Sequence, residues 1–396
     1  MTPALIERGR FAGVPVTDAF AVAAQRESAV IVEVGPVPWP AKLAPVVQPL
    51  GAFAPGQKIT GPVNVSADVL ILLYTNEEIS ALLDVFTQNK AWTPARKETL
   101  YPYAHNFDKF KSLIEGLRGD DGLQQGIFGY LSAMKIGSMN VVLYKTELHP
   151  KANGNKLPFV PVIAQLVSEL NPKLVISTGT AGAIGSHINC GDVAISSKAR
   201  FRCRTHYPSF PDINTMSQNN TELTNNVTIN DTYTKYAAQH FTKLSLPGLA
   251  KCFSEIGSRP EYAFLKPNTA PPSIYVTTKS PVPGSQPMDI VSGDFLTVDD
   301  NNNSEGLEPL GIMNDTDDAF AFFALNQITG AAKPHWLSIR NASEPQIQAP
   351  PFPPGTSPTK IIDTLKSTAG AIYGVYQYCT TLNSAFACWG VIAGMN

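Results

Sequence analysis

Carboxylate side chains follow two apolar segments of the sequence, at the points where predicted buried strands end. Glu77 and Glu78 come shortly after the apolar segment 67–74, and Glu344 comes shortly after the segment 335–339. Carboxylates can act as general bases or, when kept neutral, as general acids. Ligands of open parallel sheets bind at the carboxyl ends of the strands, so these side chains are predicted to face one crevice.

The same crevice is predicted to contain small residues and an aromatic ring. The segment Thr178–Gly182 follows the apolar run 173–177, and Ser292–Phe295 follow Ile290 and Val291. Small residues allow the backbone to approach a ligand closely. Each strand end alone is a weak signal, but together they predict a site that combines carboxylates, backbone groups and one aromatic side chain.

Several standard motifs of cofactor and metal sites are absent. Gly179, Gly182 and Gly185 are spaced GxxGxxG, which differs from the G-x-G-x-x-G of dinucleotide-binding folds. The sequence has no GxxxxGK[ST] phosphate loop, no HExxH and no GxSxG motif. Its five cysteines form no CxxC pair, so a zinc site and a disulfide framework are not supported. We therefore expect no metal and no cofactor.

The composition excludes several classes of protein. Of 396 residues, 43% are apolar and 16% are charged, with 30 basic against 32 acidic side chains, so the chain is not of the disordered type. Without a basic excess, nucleic acid is not an expected partner. No apolar run approaches the roughly 18–20 residues of a membrane span, and the N-terminus does not resemble a signal peptide. We expect a cytoplasmic protein, and the low charge is consistent with a homo-oligomer that buries part of its surface.

Strand-like and helix-like segments alternate along the chain. Apolar runs predict strands, and apolar residues at helical spacing predict helices between them. This alternation predicts a single α/β domain with a mixed, mostly parallel central sheet flanked by helices. The domain is predicted at 66–396, with an N-terminal extension at 1–65 and a long insertion at about 203–287. The predicted strands are 29–33 in the extension, then 67–74, 139–144, 173–177, 192–196, 288–295 and 335–339; the predicted helices are 79–86, 159–170, 233–241, 318–328 and 361–382.

The segment 175–201, VISTGTAGAIGSHINCGDVAISSKARF, resembles the nucleoside phosphorylase/nucleosidase superfamily. Members of that superfamily have a strand, a G-[ST]-[AC]-G loop and a G-D-[VI]-x-[IV]-[SA] strand, and the hydrolytic methylthioadenosine/S-adenosylhomocysteine nucleosidases are closest in motif. Three other segments are similar to the family's Glu-containing loop, its S-G-D-x-F loop and its R-x-[IV]-S-D loop. They are ADVLILLYTNEEISALLDVF (67–86), VSGDF (291–295) and SIRNASE (338–344), so the resemblance covers about 66–202 and 288–390.

This resemblance implies cleavage of the N-glycosidic bond of a purine nucleoside or a related adenine-containing metabolite. Glu78 matches the carboxylate that orients or deprotonates the attacking water, and Glu344 stands where the family has the Asp that donates to the purine N7. Glu344 is one methylene longer than that Asp. Two plainer interpretations stay open: Glu78 as a first-turn carboxylate favoured by the helix dipole, and Glu344 as a solvated loop residue.

The resemblance also implies which residues contact the substrate. Thr180, Ala181 and Gly182 match the loop beside the sugar, and Phe295 matches the aromatic residue of the base-binding loop. A lone aromatic after a strand is also often a core residue.

The family's Met-Glu pair, whose Glu holds the sugar hydroxyls, has no direct equivalent. Met313 and Asp318 are the preferred matches, with Asp318 as the ribose acceptor and Asp315 as its rival. These acids can instead form a capping cluster for the following helix.

The sequence favours water over phosphate as the nucleophile. Related phosphorylases place an Arg two residues before the loop glycine, where this chain has Ser177. An Arg is the usual phosphate ligand, so its loss weakens phosphate binding. Arg200, Arg202 and Arg204 are possible substitutes, which keeps a phosphorylase as the alternative. A non-catalytic nucleoside-binding protein is a second alternative, because a fold alone does not establish an activity. In each case the expected partner is a small-molecule nucleoside.

Overall fold

The structure is a computed structural model that describes residues 37–87, 100–114, 121–148, 158–184, 188, 190–202, 222–224, 236, 274–276, 290–293, 312–330, 333–344 and 353–396. The strand predicted at 29–33 lies outside the described residues, as do Phe295 and Arg204. Most of the predicted insertion also lies outside them, including all of the predicted helix 233–241 except Tyr236.

The strands of the described residues form one sheet with 13 members. They are β1 Pro45–Gln48, β2 Val69–Leu73, β3 Tyr101–Tyr103, β4 Gly129–Ile136, β5 Met139–Thr146, β6 Leu174–Ala183, β7 Val193–Ser196, β8 Lys198–Arg202, β9 Glu222–Thr224, β10 Ile274–Val276, β11 Ile290–Gly293, β12 Met313–Asn314 and β13 His335–Glu344. The helices are α1 Asn76–Thr87, α2 Phe107–Ile114, α3 Asp121–Gln124, α4 Phe159–Leu170, α5 Thr316–Gln327 and α6 Pro358–Gly394.

The centre of the sheet is parallel and its margins are mixed. Strands β5, β2, β6 and β13 lie side by side in parallel, whereas β4 pairs antiparallel with β5 and β7 pairs antiparallel with β13. All five residues of β2 are buried, as expected for a strand covered on both faces. The predicted α/β class, with a mixed central sheet flanked by helices, is confirmed.

Side chains of β2 alternate between two hydrophobic layers. Val69, Ile71 and Leu73 pack in a core that includes α1 and α6, and Leu70 and Leu72 pack in a second core that includes α4 and α5. This period of two is the geometry of a pleated strand. The sheet is therefore sandwiched between two helical layers, and α6 lies on the same face as α1.

The helix predicted at 159–170 is confirmed with these bounds as α4. It ends because Asn171 adopts a left-handed conformation with φ 43°, and its N–H donates to the carbonyl of Val167 at 2.8 Å. This is the usual αL termination, and the following Pro172 lacks the N–H that a continued helix would need.

Two loops predicted at strand ends are wrong, because both segments are strand. The segment Thr178–Gly182 continues β6, and Arg340–Glu344 continue β13. The two strands pair in parallel from Leu174 onwards, with a bulge between Ala342 and Glu344. Small and polar residues end the apolar run in the sequence, but the pairing of the two strands continues through them. The last helix is also longer than predicted, with 37 residues.

The described part of the predicted N-terminal extension packs on the main sheet. Strand β1 pairs with β4, and the Nε1–H of Trp389 in α6 donates to the carbonyl of Leu43 at 2.9 Å. The domain boundary at residue 65 and the insertion remain predictions. No helix among the described residues is long and apolar enough to cross a membrane.

Candidate active site

Glu78 lies in a capping box at the start of α1. The Glu78 N–H donates to the hydroxyl of Thr75 at 3.2 Å, and the Thr75 N–H donates back to Glu78 Oε2 at 3.0 Å. This is the reciprocal pattern of the T-x-x-E motif, in which two unpaired N–H groups of the helix end are satisfied. The Tyr74 N–H donates to the same oxygen at 2.8 Å. The strand-to-helix turn therefore fixes one carboxylate oxygen.

The second oxygen of Glu78 reaches beyond the helix to strand β6. Glu78 Oε1 accepts from the backbone N–H of Thr180 at 2.9 Å and from its hydroxyl at 3.0 Å. Gly179 makes this approach possible: a Cβ at that position would lie 2.1 Å from Glu78 Oε1, and its φ of 144° disfavours other residues. A carboxylate that served only the helix cap would not need this second contact.

Among the described residues, the hydrogen-bond donors to the Glu78 carboxylate are all uncharged. Its four hydrogen bonds come from three backbone N–H groups and one hydroxyl. The side chain is also buried, with 1% relative exposure. These four donors hold both oxygens of the buried carboxylate in place.

Glu344 ends β13 and lies beside the same segment of β6. The bulge in β13 pairs Glu344 with Gly182, and the hydroxyl of Ser343 donates to Glu344 Oε2. Glu344 is buried rather than solvated, so the interpretation as a solvated loop residue is not supported. Thr180, which contacts Glu78, lies two residues before Gly182 on β6, a distance of about 7 Å along a strand. The structure thus brings both predicted carboxylates to one stretch of β6.

Tyr373 of α6 lies close to both carboxylates. Burial, followed by the nearby Glu78, Glu77 and Glu344 carboxylates, raises the pKa of Tyr373 well above its ordinary value. The tyrosine is therefore a neutral hydroxyl throughout the physiological pH range.

Asp318 forms a buried ion pair instead of lining the crevice. One of its oxygens accepts from Arg340 Nε at 3.1 Å and from Nη2 at 2.7 Å, and the other accepts from the hydroxyl of Ser338. The residue has 0% relative exposure. With both oxygens engaged and no solvent contact, this geometry does not favour the predicted ribose role of Asp318.

The alternative ribose acceptor, Asp315, also pairs with Arg340. Asp315 Oδ2 lies 2.8 Å from Arg340 Nη2 and accepts the backbone N–H of Asp318 at 2.9 Å. Asp315 is thus the N-cap of α5, as the capping interpretation predicts. Burial, together with the charges of Asp318 and Asp317, raises the pKa of Asp315 against the opposing effect of Arg340.

Arg340 connects this ion pair to the strand that contacts Glu78. Its Nη1 donates to the carbonyl of Thr180 at 3.1 Å, and its Nη2 donates to the hydroxyl of Ser177 at 3.2 Å. The guanidinium carbon also lies 5.1 Å from the centre of the Tyr74 ring, within the range of a cation–π interaction. Arg340 therefore fixes the backbone of β6 at Thr180 as a structural cation.

The predicted substrate-contact residues fall into three groups. Thr180 and Gly182 lie beside Glu78 and Glu344, as described above. Ala181 and Met313 are buried in a small hydrophobic cluster next to them, and β12 pairs with β6 at Ala183. Phe295 lies outside the described residues. Among the described residues, no group of three or more His, Cys, Asp and Glu side chains is arranged to hold a metal ion.

Two residues of this site were not predicted from the sequence. Arg340 was part of the SIRNASE segment, and its apolar flanks together with an isolated positive charge were a usable signal for a buried ion pair. Tyr373 had no such signal, because it lies on a separate helix. The T-x-x-E spacing of Thr75 and Glu78 was a further signal, which predicts the capping box directly.

Solved structures that match this chain include nucleosidases and a futalosine hydrolase. One is the 5′-methylthioadenosine/S-adenosylhomocysteine nucleosidase from Neisseria meningitidis, with 13% identity over 82% of this chain and 99% of that chain, and a TM-score of 0.43. A second is the futalosine hydrolase of Helicobacter pylori, with 10% identity over 85% and 97% of the two chains and a TM-score of 0.44. A third is the S-adenosylhomocysteine nucleosidase from Streptococcus pyogenes, with 13% identity over 84% and 98% and a TM-score of 0.44.

No protein-family profile and no curated protein matches this sequence.

Proposed function

We propose that this protein hydrolyses the N-glycosidic bond of a purine nucleoside or a related adenine-containing metabolite. The observation that carries the proposal is the placement of Glu78, which is buried, surrounded by uncharged donors and directed at β6 beside Glu344. A carboxylate that only caps a helix does not need to accept hydrogen bonds from a residue of a separate strand. A buried carboxylate that a water molecule can reach is able to act as a general base.

Glu344 is proposed as the acid that assists the leaving base. Cleavage of a nucleoside leaves a purine anion, which departs more readily when a ring nitrogen receives a proton or a hydrogen bond. A carboxylic acid in a dry environment can donate that proton.

The arrangement of the arginines supports water rather than phosphate as the nucleophile. Arg340 lies near the site, but two carboxylates and the backbone of β6 already engage it. Arg200 and Arg202 lie on β8, which is separated from β6 by β11 and β12. Three interstrand spacings amount to roughly 14 Å. Arg204 lies outside the described residues, so a phosphorylase remains the alternative.

The proposal assigns no ribose contact to Asp318. Thr180, Ala181 and Gly182 are proposed to border the sugar, and Phe295 is proposed to border the base. Met313 is proposed to support Ala181 from the hydrophobic cluster that the two share. The substrate class is part of this proposal. We also propose that the protein is a homo-oligomer and that it is cytoplasmic.

A nucleoside panel tests the proposal. The protein is incubated in phosphate-free buffer with adenosine, inosine, 5′-methylthioadenosine and S-adenosylhomocysteine, and free base is measured by liquid chromatography. Release of base from at least one substrate is expected. Release only after addition of phosphate would establish the phosphorylase, and tight binding without release would establish a nucleoside-binding protein.

A further inference from the structure

The peptide group between Gly179 and Thr180 is held at both of its ends by buried side chains. Its N–H, which belongs to Thr180, donates to Glu78 Oε1 at 2.9 Å. Its carbonyl, which belongs to Gly179, accepts from Asn341 Nδ2 of β13 at 2.7 Å. Asn341 has 0% relative exposure. One peptide group of β6 therefore joins Asn341 to the proposed general base.

The acceptors around Asn341 fix the orientation of its amide. The Gly179 carbonyl can only accept, so the amide nitrogen must face it. The second proton of that nitrogen is directed at α6, where Ser384 Oγ lies at 3.0 Å and Thr381 Oγ1 at 3.3 Å. Both hydroxyls donate their own protons to backbone carbonyls of α6, so they accept from Asn341. Both protons of the amide therefore have acceptors.

The amide oxygen of Asn341 indicates that packing alone does not explain this side chain. No hydrogen-bond donor among the described residues faces Asn341 Oδ1, although the atom is buried. A buried oxygen without a donor typically lowers stability. An apolar side chain would avoid this cost, so the donation to Gly179 is the property that distinguishes Asn341 from a core residue.

We propose that Asn341 is a positioning residue for Glu78 and that it acts through the Gly179–Thr180 peptide group. Hydrogen bonds in a chain polarise one another, so donation to the carbonyl strengthens the N–H of the same peptide group as a donor. The same contact fixes the peptide plane, and with it the direction in which Glu78 Oε1 is held. The inference depends on the proposed role of Glu78 and adds a residue that acts on it through β6.

Asn383 of α6 provides a matched control. Its Nδ2 donates to the carbonyl of Gly191 at 2.7 Å, and its relative exposure is 1%. Its Oδ1 is also buried and faces no donor within the described part of the chain. The two asparagines thus make the same kind of hydrogen bond to a glycine carbonyl. Only the peptide group that Asn341 contacts also donates to Glu78 among the four described donors.

Nuclear magnetic resonance observes the shared peptide group without any need for turnover. In protein labelled with ¹³C′-glycine and ¹⁵N-threonine, carbonyl-filtered spectra show only threonines that follow a glycine, which are Thr180 and Thr356. Thr356 follows the exposed Gly355 and serves as the internal reference. Asn341→Leu is expected to move the Thr180 amide proton and the Gly179 carbonyl carbon to higher field, because both hydrogen bonds of the peptide group weaken or disappear. The Thr356 signal should stay in place.

The control variant decides whether such a movement is specific. Asn383→Leu is expected to leave the Thr180 signal in place. An unmoved Thr180 amide proton in Asn341→Leu, or an equal movement in Asn383→Leu, would overturn the inference. If Asn341→Leu does not fold, Asn341→Ala removes the same donor without adding bulk, and the same movement is expected.

A double-mutant cycle tests the link to catalysis. Asn341→Leu is expected to lower kcat by about fivefold, the equivalent of one hydrogen bond, with little change in KM. In a Glu78→Gln background, assayed at high enzyme concentration, the same substitution should have no further effect because the base is absent. An unchanged kcat in the single variant, or a fivefold loss that persists without Glu78, would overturn the inference. Inactivity of the wild-type protein on the nucleoside panel would instead overturn the proposed function and leave the magnetic resonance result in force.

Discussion

Two buried carboxylates near β6, Glu78 and Asp318, are held by different kinds of hydrogen-bond partner. Glu78 accepts hydrogen bonds from three backbone N–H groups and one hydroxyl, all uncharged. Asp318 accepts from the Arg340 guanidinium and from a serine hydroxyl. Both residues are almost inaccessible to solvent, with relative exposures of 1% and 0%.

The difference corresponds to the roles proposed for the two groups. Both oxygens of Asp318 are held by Arg340 and Ser338, so a water molecule could reach them only by displacing these partners. Among the described residues the donors to Glu78 are uncharged, and one of them, the Thr180 hydroxyl, is a side-chain group that a water molecule could replace. Burial alone therefore does not identify a functional acid. The charge of its partners separates Glu78 from Asp318.

Glu78→Gln is expected to produce the largest effect on activity. The amide cannot accept a proton from water, and loss of a general base costs typically 10²–10⁴-fold in rate. Steady-state kinetics on the best substrate of the panel measures this loss, and calorimetry checks that ligand binding is retained. Full activity of the variant would exclude Glu78 as the base.

Arg340→Met is expected to produce the largest effect on stability. It leaves Asp315 and Asp318 buried without a cation, which typically costs about 3–5 kcal/mol of unfolding free energy. Urea denaturation followed by circular dichroism measures the change. The triple variant with Asp315→Asn and Asp318→Asn should recover much of the loss, and a failure to recover would contradict the ion-pair account.

Asp315→Asn is expected to change how stability depends on pH. Because the pKa of Asp315 is raised in the folded state, this residue lowers the unfolding free energy as the pH rises above 3.8, the ordinary pKa of an aspartate. The asparagine variant lacks this contribution. The unfolding free energy of the variant relative to wild type should therefore increase with pH, by at most about 1.4 kcal/mol per pH unit. Denaturation curves collected from pH 4 to pH 7 measure this slope, and a flat difference would contradict the raised pKa.

Tyr378→Phe is expected to have the smallest effect. It removes one buried hydrogen bond to Asp84 and should lower the unfolding free energy by about 1–3 kcal/mol, because the carboxylate loses a donor. Thermal denaturation measures the change. A kcat equal to wild type would separate this contact from those around Glu78.

Much of the fold follows from local patterns in the sequence. The apolar run 67–74 and the helical spacing of 159–170 predict β2 and α4 because burial on both faces and a clear helix end leave strong local signals. The ends of β6 and β13 were assigned as loops because small and polar residues there are stabilised by pairing between strands distant in sequence. Local patterns do not contain that information.

The candidate site is predicted only in part, because some of its contacts join segments that are distant in the sequence. Glu78 follows its strand directly, so the strand-end rule finds it. Asp318 also lies at an element boundary, and its contact with Arg340 is what distinguishes it from Glu78. Tyr373 reaches the site from α6, a helix far along the chain from Glu78. Contacts between distant segments thus decide which polar residues act together.

The most direct test of hydrolysis at this site is the origin of the new oxygen on the released sugar. A single turnover is run in phosphate-free H₂¹⁸O, the sugar is trapped at once by borohydride reduction, and its mass is measured beside a free-sugar control for exchange. The account predicts one ¹⁸O at C1 in excess of the control, and no label above it with Glu78→Gln. An unlabelled sugar, or base release that requires phosphate and yields a sugar phosphate, would contradict it.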